Sequence, residues 1–292
     1  QYGINLAVSE VTSGLDVNYK LPLSRPAAEK IQFKAGLSRE NTDTSENDVW
    51  FVGASHSDQL TRNWVRNIDL IYQGESYTIG STRDSNRLLI PSVNWQLIKA
   101  DNLAYPKRGL KLQGGVRGAA DVFGSDVSFV QLTASAKYVF GVGRSRFLAR
   151  AEAGSTLIAE TIALPASVRF FAGGDNSVRG FDYKALGPLD SEGEVEGGKH
   201  LLAASLEYEY AITDKYGLAV FYDLGNAFDD SEFQIERSIG VGARWHSAIG
   251  PIRVDLAFPQ TALHNIHFHL QVLHPSQCSR SLFLGHLALS RK

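Results

Sequence analysis

The chain has 292 residues and lacks much of what chemistry usually requires. It holds one cysteine, Cys278, so no internal disulfide can form, and a lone thiol cannot fill a structural zinc site. It has no methionine, not even at position 1, and its start shows no signal-peptide pattern. The sequence therefore reads as an internal piece of a longer precursor. The net charge of -2 and pI near 6.5 leave no basic face for nucleic acid. No apolar run reaches the roughly 18 residues that a membrane helix needs. That excludes a helical membrane protein but not a membrane β-barrel, whose strands alternate and give a weak hydropathy signal.

Catalytic patterns are missing too. There is no G-x-S-x-G elbow and no H-E-x-x-H. The glycine-dense stretch FFAGGDNSVRGFDYKALGP, Phe170 to Pro188, lacks the spacing, the Lys-Ser/Thr pair and the helix of a phosphate-binding loop. Glu207 and Glu209 are paired at strand spacing, as the acid and base of a glycosidase can be. A solvated row balanced by arginines on neighbouring strands is the commoner reading. His267 and His269 form an H-x-H upstream of Cys278, a pattern that can ligate metal. Five of the eight histidines, however, crowd the last 29 residues, a segment of odd composition. The expectation is a non-enzymatic chain with no catalytic residue, no metal and no cofactor.

What the sequence does have is a period of two. In SGLDVNYKLPL, Leu15, Val17, Tyr19 and Leu21 alternate with Asp16, Asn18 and Lys20. In HLLAASLEYEYAI, Leu206, Tyr208, Tyr210 and Ile212 alternate with Ser205, Glu207 and Glu209. In YGLAVFYDLGNAF, Leu218, Val220, Tyr222 and Leu224 alternate with Ala219, Phe221, Asp223 and Gly225. About fifteen such segments follow one another, separated by turns rich in Gly, Asn, Asp, Ser and Pro, so the fold is all-β and antiparallel. The stretch Asn41 to Trp50 is acidic and polar and reads as a solvent loop.

Alternation alone fits a soluble sandwich or propeller as well as a membrane barrel. Three details favour the barrel. The strands are long, about 10 to 14 residues, which suits a tilted span of a bilayer. The polar face is charged and glycine-rich. Trp50, Trp64, Tyr72, Tyr77, Tyr105 and Trp245 lie at strand ends, as interfacial girdles do.

One constellation points to a structural role for the glycine-dense stretch. Arg179 lies at its tip, and a confined arginine needs a carboxylate. Asp223 lies on the polar face of its strand, flanked there by Phe221 and by Gly225, which leaves room for a loop to approach. A guanidinium fork and a carboxylate can form two parallel hydrogen bonds. The reading is a long loop folded into a barrel and pinned by its arginine. The alternative is an arginine exposed on an external loop tip.

At these residues the chain resembles a known superfamily. SVRGF, Ser177 to Phe181, resembles the V-R-G-[FY] loop motif of the outer-membrane assembly and two-partner-secretion barrels. FYDLG, Phe221 to Gly225, is similar to their F-x-D-x-G strand motif, and GVGARWHSAIGPIRVDLAFP to their penultimate hairpin, with Ala248 where the family has Pro. Among the branches, the loop region looks most like the translocation and assembly module subunit, TamA. The resemblance covers about residues 1 to 270.

It implies a sixteen-stranded transmembrane antiparallel β-barrel in the bacterial outer membrane, preceded by periplasmic domains. It implies that the sixth extracellular loop enters the lumen. Val178, Arg179, Gly180 and Phe181 are then the lumen-loop motif, and Phe221, Asp223 and Gly225 the wall that receives it. Glu207, Arg244 and Asp255 are candidates for a lumen charge network. The implied function is insertion or translocation of other outer-membrane proteins, such as autotransporters, through a weak seam between first and last strands. The implied partners are a TamB-like protein anchored in the inner membrane, nascent outer-membrane proteins and the lipid bilayer. The alternatives are a two-partner-secretion pore exporting a dedicated exoprotein, and a passive porin, which would not need the paired motifs. The domain reading is a barrel over 1–270, with its first strand and periplasmic domains absent before Gln1, and an atypical tail over 271–292.

Overall fold

A computed structural model describes residues 1–9, 11–26, 28–42, 45–79, 82–103, 105–158, 164–229, 233–247, 250–260 and 267–272. Fourteen strands follow in order. They are β1 Tyr2–Val8, β2 Thr12–Pro22, β3 Glu29–Asn41, β4 Ser45–Gln59, β5 Trp64–Ile79, β6 Thr82–Ala100 and β7 Arg108–Ala119. The rest are β8 Phe129–Val142, β9 Ser145–Leu157, β10 His200–Ala211, β11 Tyr216–Phe228, β12 Glu236–Ser247, β13 Gly250–Pro259 and β14 His267–Val272. Each pairs antiparallel with its neighbours in sequence, in a single sheet ordered β1 to β14. Among the described residues no ladder joins β1 to β14, so these strands are the two edges of the sheet.

The all-β antiparallel reading holds, with a strand count one below the fifteen or so expected. Strand lengths vary more than expected, up to 16 residues in β5 and 19 in β6. The acidic stretch read as a solvent loop is mostly strand: β4 begins at Ser45, and Asp48 accepts two hydrogen bonds of 2.6 Å from Arg39 on β3. The described strand β14 takes in Gln271 and Val272, the first two residues assigned to the tail. Cys278 and the remainder of that tail, like Ala248, lie outside the described residues. Among the described residues no helix is long and apolar enough to cross a membrane.

Burial separates the two faces of the wall in the sense opposite to a soluble sandwich. On β10 and β11 the charged and polar set is inside: Ser205, Glu207, Glu209 and Asp223 are buried. The apolar set is outside: Leu206 is 63% exposed and Leu218 56%. Ile239 and Val241 on β12 continue this exposed belt. An apolar belt of this extent is stable only against lipid.

The apolar core lies inside the wall and is completed by the long connection between β9 and β10. Leu164 and Val168 of that loop pack against Leu88, Ile90, Ala119 and Phe129. Ala166 packs against Tyr77 and Ile79, with Phe171 alongside. Tyr77 therefore belongs to this inner core and not to an interfacial girdle. The loop also reaches β3, where the Lys184 ammonium pairs with Glu40, so the sheet wraps around it.

Candidate functional site

The loop returns on itself through three isolated bridges, Phe170 with Gly198, Ala172 with Leu186 and Leu189 with Val195. Val178 is fully buried at its tip, with Ala172, Leu186, Leu201 and Ala227 around it and Phe181 against the same cluster. These two apolar side chains flank Arg179 and fix the direction in which it points. Gly180 follows with a left-handed φ of +95°, and a Cβ there would stand 3.3 Å from Ala257 and 3.4 Å from Pro259 on β13. Only glycine adopts this conformation without strain while its backbone lies against a strand.

Arg179 is almost fully enclosed and uses its whole fork. Its backbone N–H donates to Asp223 Oδ2 at 3.1 Å, its Nε to the same oxygen at 2.8 Å and its Nη2 to Asp223 Oδ1 at 3.0 Å. Nη2 also donates to Ser205 Oγ at 3.2 Å. Nη1 donates to Glu207 Oε2 at 2.8 Å and Asp255 Oδ2 at 3.0 Å. The guanidinium carbon lies 3.5 Å from the centre of the Phe221 ring. Burial alone would lower the pKa of this arginine, but the Asp223 hydrogen bonds and the charges of Asp223, Glu207 and Asp255 outweigh it and raise it.

A second arginine completes the network. Arg244 Nη2 donates to Glu207 Oε1 at 2.7 Å, Nη1 to Asp255 Oδ1 at 2.5 Å and Nε to Glu209 Oε1 at 3.0 Å. Glu207 and Asp255 thus each bridge the two arginines, one oxygen to each. Glu209 is ion-paired in turn with Arg146 on β9 at 2.8 Å. Tyr105, from the turn between β6 and β7, donates to Glu209 Oε2 at 3.2 Å beneath the Arg146 guanidinium. Burial, aided by the Glu209 charge, pushes the Tyr105 hydroxyl up to about 12, so it stays a donor. Tyr105 is therefore a lumen residue and not part of a girdle.

The register of the strands makes room for this density. Asp223 lies opposite Ser205 on one side and Ser238 on the other, both small. Phe221 lies opposite Gly240, where a Cβ would strike the Phe221 ring. At Gly242 a Cβ would strike Asp255 and stand 2.6 Å from Arg244 Nη1. Gly225 has a different use from the one expected. A Cβ there would meet β10, with Leu202 O at 2.6 Å and Ala203 Cα at 2.7 Å, so the space admits the neighbouring strand and not the loop.

The structure thus brings Val178, Arg179, Gly180, Phe181, Phe221, Asp223, Glu207, Arg244 and Asp255 into one cluster. Sequence reasoning missed Ser205, Arg146, Tyr105 and Gly240 as parts of it. Ser205 and Arg146 share the inward face with Glu207 and Arg150, so strand parity carried a signal for them; the turn residue Tyr105 had none. His267 and His269 occupy alternate positions of β14. Among the described residues no group of three metal-ligating side chains occurs.

A second anchor, also missed, holds the start of the loop. Gln73 donates to Ser167 Oγ at 2.9 Å, Arg117 to Ser167 O at 3.0 Å and Gln131 to Val168 O at 2.6 Å. The Ser167 N–H donates to Glu75 at 3.3 Å.

Comparison with known proteins gives this arrangement a family. The Omp85 superfamily domain matches residues 3–271. An outer membrane protein assembly factor, BamA, from Nitratidesulfovibrio vulgaris is 35% identical over 104 residues, which are 33% of this chain and 13% of that protein. The crystal structure of BamA from Haemophilus ducreyi lacking POTRA domains 1–3 superimposes with a TM-score of 0.78 at 15% identity, over 92% of this chain and 62% of that one. CdiB from Escherichia coli superimposes with a TM-score of 0.58 at 14% identity, over 88% of this chain and 52% of that one. The chain therefore spans only part of the length of each of these relatives.

Proposed function

The chain belongs to the Omp85 superfamily, a family of bacterial outer-membrane β-barrels, and on that premise we propose that it assembles or translocates other outer-membrane proteins. The finer reading is an assembly factor of the TamA branch, acting on autotransporters among its substrates with a TamB-like protein as partner. No covalent chemistry is proposed, and the chain is not read as an enzyme. The work required is the pairing of a nascent strand with an exposed sheet edge. A short apolar band near that edge would thin the bilayer and help a strand enter.

The observation that carries this reading is the Arg179 socket. Three carboxylates from three strands converge on one loop arginine, so β10, β11 and β13 are locked to the lumen loop. The socket ties this wall to the loop, and on this reading the pairing with a nascent strand takes place at an edge of the sheet away from it.

The test is complementation of a deletion strain with the full-length gene carrying Arg179→Ala or Asp223→Ala. Both variants should reach the outer membrane and display less autotransporter at the surface. Normal display by both, with unchanged protease resistance of the loop, would sink the reading. The likeness to CdiB supports a second reading, a two-partner-secretion pore. Under that reading the variants would stop export of one dedicated exoprotein and leave autotransporters untouched.

A further inference from the structure

We infer that the lumen holds a second site beside the Arg179 socket, a pocket for a small inorganic oxyanion built by Lys137, Arg150 and Arg253. The three cations come from β8, β9 and β13 and line a polar cavity of about 90 Å³ together with Asp175, Ser205 and Glu207. That volume holds about three water molecules or one small ion.

The case rests on the hydrogen-bond arithmetic of the cavity wall. Glu207 and Asp255 both border it, and each already accepts a hydrogen bond on either oxygen, one from Arg179 and one from Arg244. Arg150 donates to main-chain oxygens, Ser177 O at 2.9 Å and Asp175 O at 3.4 Å, and makes no ion pair with a carboxylate among the described residues. Among the described residues, Lys137 and Arg253 make no ion pair with a carboxylate. Glu152 lies two residues along from Arg150 on the same strand and does not line the cavity. Asp175 supplies the one further carboxylate there.

Register makes the crowding of positive charge worse. Lys137 lies directly opposite Arg150 on one side and Lys111 on the other, and Arg253 lies directly opposite Arg244. Like charges in opposed positions repel. An oxyanion accepts from several donors at once and removes that repulsion. The cavity is too small for a phospholipid or a nucleotide, so the fitting occupant is a free ion of the size of phosphate or sulfate. Its position behind the loop tip, against Arg150, predicts that occupancy stabilises the docked loop.

The experiment is thermal unfolding of the purified full-length protein in detergent, titrated with inorganic phosphate against chloride at matched ionic strength. Phosphate should raise the melting temperature saturably, and chloride should not. Lys137→Gln and Arg253→Gln should each weaken the apparent phosphate affinity at least about tenfold, since each removes a charge-assisted donor. Arg87→Gln, an exposed change outside the cavity, should leave the response intact. The proposal is overturned if phosphate and chloride act alike, or if Lys137→Gln responds as the parent does. If Arg253→Gln does not fold, phosphate line broadening measured by NMR on the parent and on Lys137→Gln decides, and equal broadening overturns the site. The outcome is independent of the assembly reading, because no substrate protein is present.

Discussion

The lumen loop is held at two places by different physics. At its entry, Ser167 and Val168 are gripped mainly through main-chain atoms, and Leu164 and Val168 are buried among aliphatic and aromatic side chains. At its tip, Arg179 is gripped by carboxylates and stacked on an aromatic ring. Apolar burial is non-directional and stabilises any well-packed arrangement. A buried ion network is satisfied in one geometry only, and with a partner missing it becomes a liability. The entry anchor therefore supplies stability, while the tip anchor supplies position.

The largest expected effect breaks the tip. Asp223→Ala removes three hydrogen bonds from Arg179 and strands its charge, which should cost the docked state about 3–5 kcal/mol. Limited proteolysis should then cut within the loop while the heat-modifiable migration of the barrel survives. A loop as protected as the parent's would mean that the entry anchor alone seats it. Arg179→Lys sharpens the same point. It keeps a charge and loses the fork and the ring stacking, so protection should fall between parent and alanine.

Leu164→Ala breaks the entry. Leu164 is fully buried, and a cavity there should cost about 2–5 kcal/mol. The contrast with the first variant lies in where the loss shows. The melting temperature should drop while the tip stays protected. If proteolysis instead opens the tip first, the two anchors are one cooperative unit. Gly240→Ala tests the support beneath the tip. The added methyl collides with the Phe221 ring and with Leu256 O, and overpacking of this kind costs about 1–3 kcal/mol. Loop protection should fall moderately, and Phe221→Leu in the same chain should restore part of it.

The two anchors also differ in how legible they were. The alternation of β10 and β11 announced the two faces, and Arg179 with Asp223 stood out because a confined arginine demands a carboxylate. The entry anchor was invisible, because Gln73, Arg117 and Gln131 bind main-chain oxygens or a hydroxyl that carry no sequence signature. Gly225 and Gly240 show the limit of reading glycines along one strand. Both lie on the polar face, but what fills the space beside each is decided by the register of the neighbouring strand. Tyr77 and Tyr105 were misplaced for a related reason. A residue at a strand end or in a turn can face lipid or lumen, and the curl of the sheet decides which.

The smallest expected effect concerns the loop's contact with the β3 wall. Lys184 pairs with Glu40, but both side chains are about a quarter exposed, so the pair is worth at most about 1 kcal/mol. Lys184 is also the one described non-glycine residue with positive φ, at 61°. A left-handed conformation costs a side chain about 1–2 kcal/mol. Two substitutions separate these contributions. Lys184→Ala loses the pair and keeps the strain, so the melting temperature should fall slightly. Lys184→Gly loses the pair and relieves the strain, while adding about 0.4–1 kcal/mol of unfolded-chain entropy. The glycine variant should therefore melt at or slightly above the parent and above the alanine variant. A glycine variant melting below the alanine variant would mean that the left-handed backbone at Lys184 carries no strain, and both variants melting well below the parent would mean that the ion pair outweighs the backbone.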